Sequence, residues 1–361
     1  MLNTQLHKQL AVSVKVSFLL ALFALALFTL VGCSEEAERQ PVRLQGQIYG
    51  TFWLATLPDE WTPEQVKQLK AGIEGELNKV DEAMSTYKPN SELNRFNAAP
   101  LGEWVELSAD LFEVFNLSQT VSKMSQGAFD VTIGDLVNLW NFGPEARPEA
   151  IPEAALLKKR LTAAGFQYLE LNAERQAARR FRASFVDLSG VAKGYAVDKV
   201  AQWLQQQGVG NFLINIGGEI VVAGQRAPEQ PWRIGIEVPD DRLQAAQHVV
   251  PLVNESVATS GDYRNFYELD GKRMSHTINP KTGWPIDHNL TSVTVFHSSN
   301  AVADAWATAF MVMGAEASLA LANRENLKVL LISKVDKAWK TQISNSLQQK
   351  LGTELTNKIL N

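Results

Sequence analysis

Cysteine is nearly absent from this chain: Cys33 is the only one in 361 residues. No intramolecular disulfide and no cysteine-built metal cluster is therefore possible. Basic clusters are missing too. Lys and Arg number 34 against 39 Asp and Glu, the net charge is −5, and no positive block stands out. A nucleic-acid surface needs such a patch, so nucleic acid is not an expected partner. The common nucleotide cradles are also lacking, since neither G-x-x-x-x-G-K-[ST] nor G-x-G-x-x-G follows any strand-like run. A nucleotide is not thereby excluded, because helix N-termini and hard metal ions also hold phosphates. No internal repeat or low-complexity tract is present. The apolar run Phe18–Val31 falls short of the roughly 20 residues that span a bilayer.

That run has another reading. Lys8 and Lys15 precede it, and small residues close it at Leu30-Val31-Gly32-Cys33. Charged, apolar and small-residue regions in this order make a secretory signal. The ending resembles a bacterial lipobox, in which the cysteine is lipidated and becomes the new N-terminus. The expected organisation is a signal peptide over residues 1–32 and a lipidated tether over 33–44, with SEEAERQ too charged and aperiodic to fold. A globular domain over 45–345 and a C-terminal tail over 346–361 complete it. The expected location is the bacterial cell envelope, as a periplasm-facing lipoprotein anchored at Cys33. Ser34 is not the aspartate associated with inner-membrane retention, and either membrane stays open.

Within the domain, Gly46–Leu57 reads as a strand pair and Glu64–Met84 as a helix with Val66, Leu69, Ile73, Leu77 and Val80 on one stripe. Met84–Asn97 reads as a polar loop. Ser108 caps a helix ended by Gly127. Further helices are expected over Glu153–Ala164, Gly190–Gln207 and from Ala301 to Gly314, a hairpin over Tyr168–Asp187, and strands at Asn211–Ile216, Trp232–Val238 and Thr291–His297. Several strand pairs are hairpin-linked, so the expected class is α+β with mixed or antiparallel sheets and packed helices.

Four stretches could carry chemistry. Ala258–Asp287 places a Thr-Ser-Gly-Asp turn, a hairpin at Asp270-Gly271 and a lone His276 before an Asn-Pro turn; loops so placed on a sheet hold functional groups, although an ordinary solvent-facing hairpin reads the same way. On the helix starting near Asn300, Asp304 and Thr308 are four apart and share a face. A carboxylate and a hydroxyl there are hard oxygen ligands suited to Mg²⁺; the competing reading is an Asp near a helix N-terminus. Asp187–Gly194 runs from a strand through a Ser-Gly turn into a helix carrying Lys193, which could meet a phosphate or simply pair with Asp187. In Asn215–Glu219, paired glycines after a strand allow close ligand approach.

Seven segments in order resemble the ApbE family of flavin transferases, which move FMN from FAD onto a protein. They are Met84–Tyr87, GAFDVTIGDLVNLWNFGP from Gly127, DLSGVAKGYAVDKV from Asp187, NIGGE from Asn215, TSGDYRNFY from Thr259, SHTINPKTG from Ser275 and ADAWAT from Ala303. The resemblance implies an ApbE-like, T-fold-like architecture of two subdomains. It implies Mg²⁺ ligands at Gly190 (through its carbonyl), Asp304, Thr308 and near Ala307. It implies FAD contacts at Tyr49, Tyr87, Ala128, Phe129, Asp130, Asp187, Lys193 and Ile278. Tyr49 departs from the methionine of many members. His276 matches a histidine beside the reacting phosphate, so it is the expected proton acceptor, with Asp262 in reserve. The implied reaction transfers FMN from FAD to a Thr or Ser hydroxyl of a partner through a phosphoester bond, releasing AMP. The implied acceptors belong to envelope electron-transfer machinery such as the Na⁺-translocating NADH:quinone reductase or the RNF complex. FAD pyrophosphatase activity and a non-catalytic periplasmic flavin-binding lipoprotein remain the alternatives.

Overall fold

The computed structural model describes residues 40–145, 150–237, 246–262, 265–336 and 338–360. The segment expected to be a signal peptide and Cys33 lie outside them. Strands β1 (Val42–Ile48) and β2 (Thr51–Leu57) form the expected opening pair, joined through Tyr49-Gly50. Strands β3 (Val105–Glu106), β4 (Leu169–Asn172) and β5 (Ala177–Arg180) make a small sheet of order β3-β5-β4. With β6 (Phe212–Ile216), β7 (Glu219–Ala223), β10 (Glu255–Gly261), β13 (Leu290–His297), β14 (Lys328–Val335) and β15 (Ala338–Ile343), the opening pair builds an eight-stranded sheet. Its order is β1-β2-β6-β7-β10-β13-β14-β15, and every neighbouring pair is antiparallel. Strands β8 (Trp232–Glu237) with β9 (Ala246–Leu252), and β11 (Phe266–Leu269) with β12 (Lys272–Ser275), are separate two-stranded ribbons. The α+β expectation, with antiparallel sheets and packed helices, holds.

The large sheet is covered on both faces. One face carries helices α1 (Pro63–Met84), α3 (Ala109–Met124), α6 (Ala192–Gln206) and α7 (Asn300–Met313). Ala258, Val293, Val295, Val329 and Leu331 point into that core. Their neighbours in sequence, Val257, Phe296, Leu330 and Ile332, point into a second core formed with Trp232, Ile234, Val250 and Leu252 of the β8–β9 ribbon. A strand buried on both faces needs apolar residues without alternation, which explains the unbroken run Val329-Leu330-Leu331-Ile332 in β14. Helix α9 (Asn345–Leu360), interrupted at Gly352, adds Leu347 and Ile359 to the second core. Residues 346–361, set apart in the sequence as a tail, thus include a packed helix; its apolar spacing is broken at Gly352, and that hid it. Strand β1 likewise begins at Val42, inside the stretch expected to be tether.

Two local expectations are corrected. The Met84–Asn97 loop contains helix α2 (Glu92–Ala98), which Ser91 caps by accepting the Asn94 N–H at 3.0 Å. Thr259-Ser260-Gly261 is not a turn but the end of β10, paired with β13 through Gly261 and Ser292. The hairpin at Asp270-Gly271 is as expected: both residues have positive φ (51° and 71°), the geometry a two-residue hairpin loop requires. A third core gathers Leu136 and Leu139 of α4 (Gly134–Leu139), Trp140, Leu157 of α5 (Ala154–Ala163), Met274 and Ile278. The Trp140 indole donates to the Gly283 carbonyl at 2.7 Å and fastens the Asn279–Trp284 turn to this lobe. Helix α8 (Ala315–Arg324) returns the chain to β14.

Candidate active site

The β1–β2 and β6–β7 turns meet at one end of the large sheet, where the Gly217 N–H donates to Phe52 O at 3.0 Å. Helix α6 starts beside them without a side-chain cap and crosses α7 closely. A Cβ on Gly194 would lie 2.5 Å from Asn300 O and 2.8 Å from Asp304 Cβ, so only glycine permits this crossing. Asp304, 3% exposed, accepts the Gly194 N–H at 3.0 Å. Further along α6, the Asp198 carboxylate caps α7, accepting from Ser299 Oγ at 2.7 Å, Asn300 N at 2.7 Å and Ala301 N at 3.0 Å. Asn300 Nδ2 donates to Ile220 O and Val257 O at 2.7 and 3.1 Å, seating that end of α7 on the sheet.

Lys193 does not pair with Asp187. Its Nζ donates to Glu219 Oε1 at 2.8 Å and stands 3.8 Å from Asp304 Oδ2. Burial would lower the Lys193 pKa, but the Asp304 and Glu219 carboxylates outweigh it and hold it above the usual lysine value. Burial drives Glu219 up to about 7; the Lys193 charge opposes this and that of Asp304 adds to it.

Thr308 lies one turn beyond Asp304. Its Oγ1 is 3.4 Å from Ser260 Oγ, and a Cβ on Gly190 would sit 3.2 Å from the same Oγ1. Asp304, Thr308 and Gly190, the expected cation ligands, are therefore drawn together by the α6–α7 crossing. Ala307 is fully buried and offers only its carbonyl. Among the described residues no three His, Cys, Asp or Glu side chains converge on a metal position. What converges is one carboxylate, a hydroxyl and backbone, an all-oxygen set that fits Mg²⁺, which retains water or phosphate elsewhere in its shell.

His276 directly follows β12. Its Nδ1 donates to Asn265 O at 3.0 Å and its ring packs edge-on to Phe142 at 6.3 Å. With Nδ1 committed to a carbonyl, Nε2 of the neutral ring is the proton acceptor. Burial lowers the His276 pKa; the bond to Asn265 opposes this, while the charges of Lys193 and Arg273 lower it further. These influences favour the neutral ring, and the charge of Lys193 is among them. Asp262, 8% exposed, has Arg273 Nη1 at 3.7 Å from Oδ2, and its main-chain carbonyl accepts from Arg273 Nη2, while Oδ1 is buried without a partner among the described residues. Burial raises its pKa against the pull of Arg273 and His288.

The residues implied for FAD divide into two kinds. Asp130 is a buried clasp: Oδ1 accepts from Thr132 N and Oγ1 at 2.8 and 2.7 Å, and Oδ2 from Phe166 N at 2.8 Å. Ala128, Phe129 and Ile278 are buried, and Phe129 Cε2 lies within 3.2 Å of the Cβ position of Gly190. Asp187 accepts from Ser189 N and Oγ at 2.8 and 2.6 Å. Tyr87 is 68% exposed; partial burial of its hydroxyl, then the Asp187 charge, raises its pKa. Asn94 Nδ2 fixes the loop under Tyr87 by donating to Thr86 O and Lys88 O at 3.0 and 2.9 Å. Tyr49 stands apart. It occupies the β1–β2 turn at φ 52°, and its hydroxyl donates inward to Leu77 O at 2.6 Å.

Glu219, Ser260 and Asp198 were given no role by sequence reasoning. A signal for Glu219 exists: it is in phase with Val221 and Ala223 of β7, both in the helix-side core, so period two places a carboxylate where only a paired one is tolerated.

Comparison with known proteins gives the chain's family. Residues 49–331 match the ApbE family. FAD:protein FMN transferase of Escherichia coli strain K12 is 38% identical over 344 residues, covering 92% of this chain and 97% of that protein. The structure of the flavin transferase ApbE from Vibrio cholerae superposes with a TM-score of 0.79 at 38% identity, covering 86% of this chain and 98% of its own. The apo form of the Pseudomonas stutzeri flavinyl transferase ApbE gives 0.79 at 34% identity, with 87% and 97% covered. The chain belongs to the ApbE family.

Proposed function

We propose that the chain is an FAD:protein FMN transferase that works with Mg²⁺, exported and held at a membrane surface through lipidated Cys33. The transferase activity follows from its relatives. The observation that carries the detailed reading is the gathering of Asp304, Thr308, Gly190 and Lys193 at the α6–α7 crossing, within electrostatic reach of His276. Asp304, Thr308 and the Gly190 and Ala307 carbonyls would hold Mg²⁺, which when bound neutralises pyrophosphate charge. Lys193 would add a second positive charge there. Tyr87, Asp187 and the buried stretch Ala128–Asp130 would orient the flavin portion of FAD. His276 Nε2 would take the proton of a Thr or Ser hydroxyl. The hydroxyl oxygen bonds to the phosphorus on the FMN side, the bond from that phosphorus to the bridging oxygen breaks, and AMP leaves with that oxygen. Flavoprotein subunits of envelope electron-transfer complexes, of the Na⁺-translocating NADH:quinone reductase or RNF type, are the proposed acceptors.

The test is incubation of the pure protein with FAD, Mg²⁺ and a candidate acceptor. A UV-fluorescent acceptor with equimolar AMP is the expected result. FMN and AMP with no labelled acceptor would mark a pyrophosphatase, and intact FAD a binding protein.

A further inference from the structure

Lys193 stands between two buried carboxylates and sides with one. Its Nζ is 2.8 Å from Glu219 and 3.8 Å from Asp304, and both acids are 3% exposed. An ammonium closing that last ångström would neutralise the carboxylate that a divalent cation needs. Lysine has a long flexible stem, so its distance from Asp304 must be set by something else. Glu219 is built to set it. It opens β7 directly after the Gly217-Gly218 turn, which the Gly218 N–H bond to Asn215 Oδ1 at 2.9 Å closes. Its Oε2 accepts the Thr259 N–H at 3.2 Å, leaving Oε1 aimed at Lys193.

We propose that Glu219 is a positioning residue that draws Lys193 off Asp304 and so keeps the Asp304 carboxylate open to a divalent cation. This rests on the reading of Asp304, Thr308 and Gly190 as the cation's ligands. Glu219 acts through Lys193 and touches neither metal nor phosphate. Removing its charge frees Lys193 to settle on Asp304; removing Lys193 as well makes Glu219 dispensable.

The test uses the full chain with Mn²⁺ as the probe, its free aqua signal followed by electron paramagnetic resonance at pH 8. FAD is raised to saturation for each variant and no acceptor is present. Glu219→Gln should raise the Mn²⁺ concentration for half-occupancy about tenfold, a change of about 1.4 kcal/mol. Lys193→Met should bind Mn²⁺ at least as tightly as the parent, and the double variant should return to within about threefold of it. A double variant as weak as Glu219→Gln alone would overturn the proposal, because Glu219 would then be serving the metal or the fold directly. So would a Glu219→Gln protein that binds like the parent. Lys193→Met alters a side chain 30% exposed, and weaker binding by it would overturn the proposal even if Glu219→Gln fails to fold. Asp304→Asn is the control: Mn²⁺ binding that survives it would refute the ligand reading itself, a failure distinct from that of Glu219.

Discussion

Gly194→Ala adds one methyl where the structure leaves no room. The new Cβ would lie 2.5 Å from Asn300 O, and 2.8 Å from both Asn300 C and Asp304 Cβ. Two of these three are backbone atoms, so no flexible side chain can swing away. Ordinary carbon contacts are near 3.5 Å or more, and α6 must therefore retreat from α7 by roughly 1 Å. The Asp198 bonds to Ser299, Asn300 and Ala301 resist that movement. Overpacking of this kind costs about 1–3 kcal/mol, which for a unit of this size lowers Tm by roughly 1.5–4.5 °C. The rate should suffer more than the stability, because the displaced atom belongs to Asp304 and misplacement by about 1 Å can cost 10²-fold. Gly75 in α1 is the internal comparison. Nothing lies within 4 Å of its Cβ position, so Gly75→Ala should stabilise by about 0.5–1 kcal/mol and leave the rate alone. Scanning calorimetry and in-gel flavin fluorescence of the acceptor measure the two quantities. A Gly194→Ala protein that melts with the parent and labels acceptor at the parental rate would show that the α6–α7 spacing does not govern the site.

Asp304→Ala should abolish flavin transfer while FAD still binds, and full activity at low Mg²⁺ would misplace the cation. Thr308→Val loses a neutral ligand and should raise the Mg²⁺ requirement less than Asp304→Ala does. His276→Ala should lower kcat by about 10²–10⁴-fold, the range for a lost general base. Because burial and two positive neighbours favour the neutral His276 ring, the parental rate should fall only as pH drops through a midpoint below the ordinary histidine value, and that limb should vanish in the variant. An Asn variant with parental rate and profile would move the base to Asp262. Cys33→Ser should release the protein from membranes with activity intact; a variant that stays bound with no lipid on residue 33 refutes the anchor.

Local chemistry was legible and pairing across the chain was not. The apolar stripe of Glu64–Met84 announces α1, which starts at Pro63 behind a capping box, with Thr62 N donating to Gln65 Oε1 at 2.9 Å. Asp270-Gly271 announces its hairpin for an equally local reason, the tolerance of those residues for positive φ. Asp304 and Thr308 could be placed on one helical face by spacing alone. The partner of Lys193 could not be read in this way, since six residues separate it from Asp187 but 26 from Glu219. Proximity in sequence favours Asp187, whereas the fold turns that carboxylate onto Ser189. Helix α2 was hidden by its polar surface, with only Leu93 and Phe96 buried. Tyr49 matched by position, yet its hydroxyl is spent on Leu77, an outcome that depends on where α1 packs.

The expected proton acceptor and the expected cation ligands belong to different bodies of the fold, and residues 185–187 join them. On one edge this segment binds the lobe of α4, α5 and the β11–β12 hairpin: Asp187 N donates to Val131 O at 2.8 Å, and Gly134 N to Phe185 O at 2.9 Å. A Cβ on Gly134 would come within 2.7 Å of Phe185 O, so the approach is as tight as that at Gly194. On the other edge Asn97 brackets Val186, donating to its carbonyl and accepting its N–H, both at 2.8 Å. Arg180 in turn holds the end of α2, donating to Asn97 O at 2.7 Å and Ala99 O at 3.0 Å. The chain then passes within three residues to Gly190 and within six to Lys193. A disturbance at this joint shifts His276 relative to Asp304 without touching either. Asn97→Ala should therefore spare cation affinity and depress the rate of transfer, separating the geometry of the joint from the chemistry of the residues it aligns.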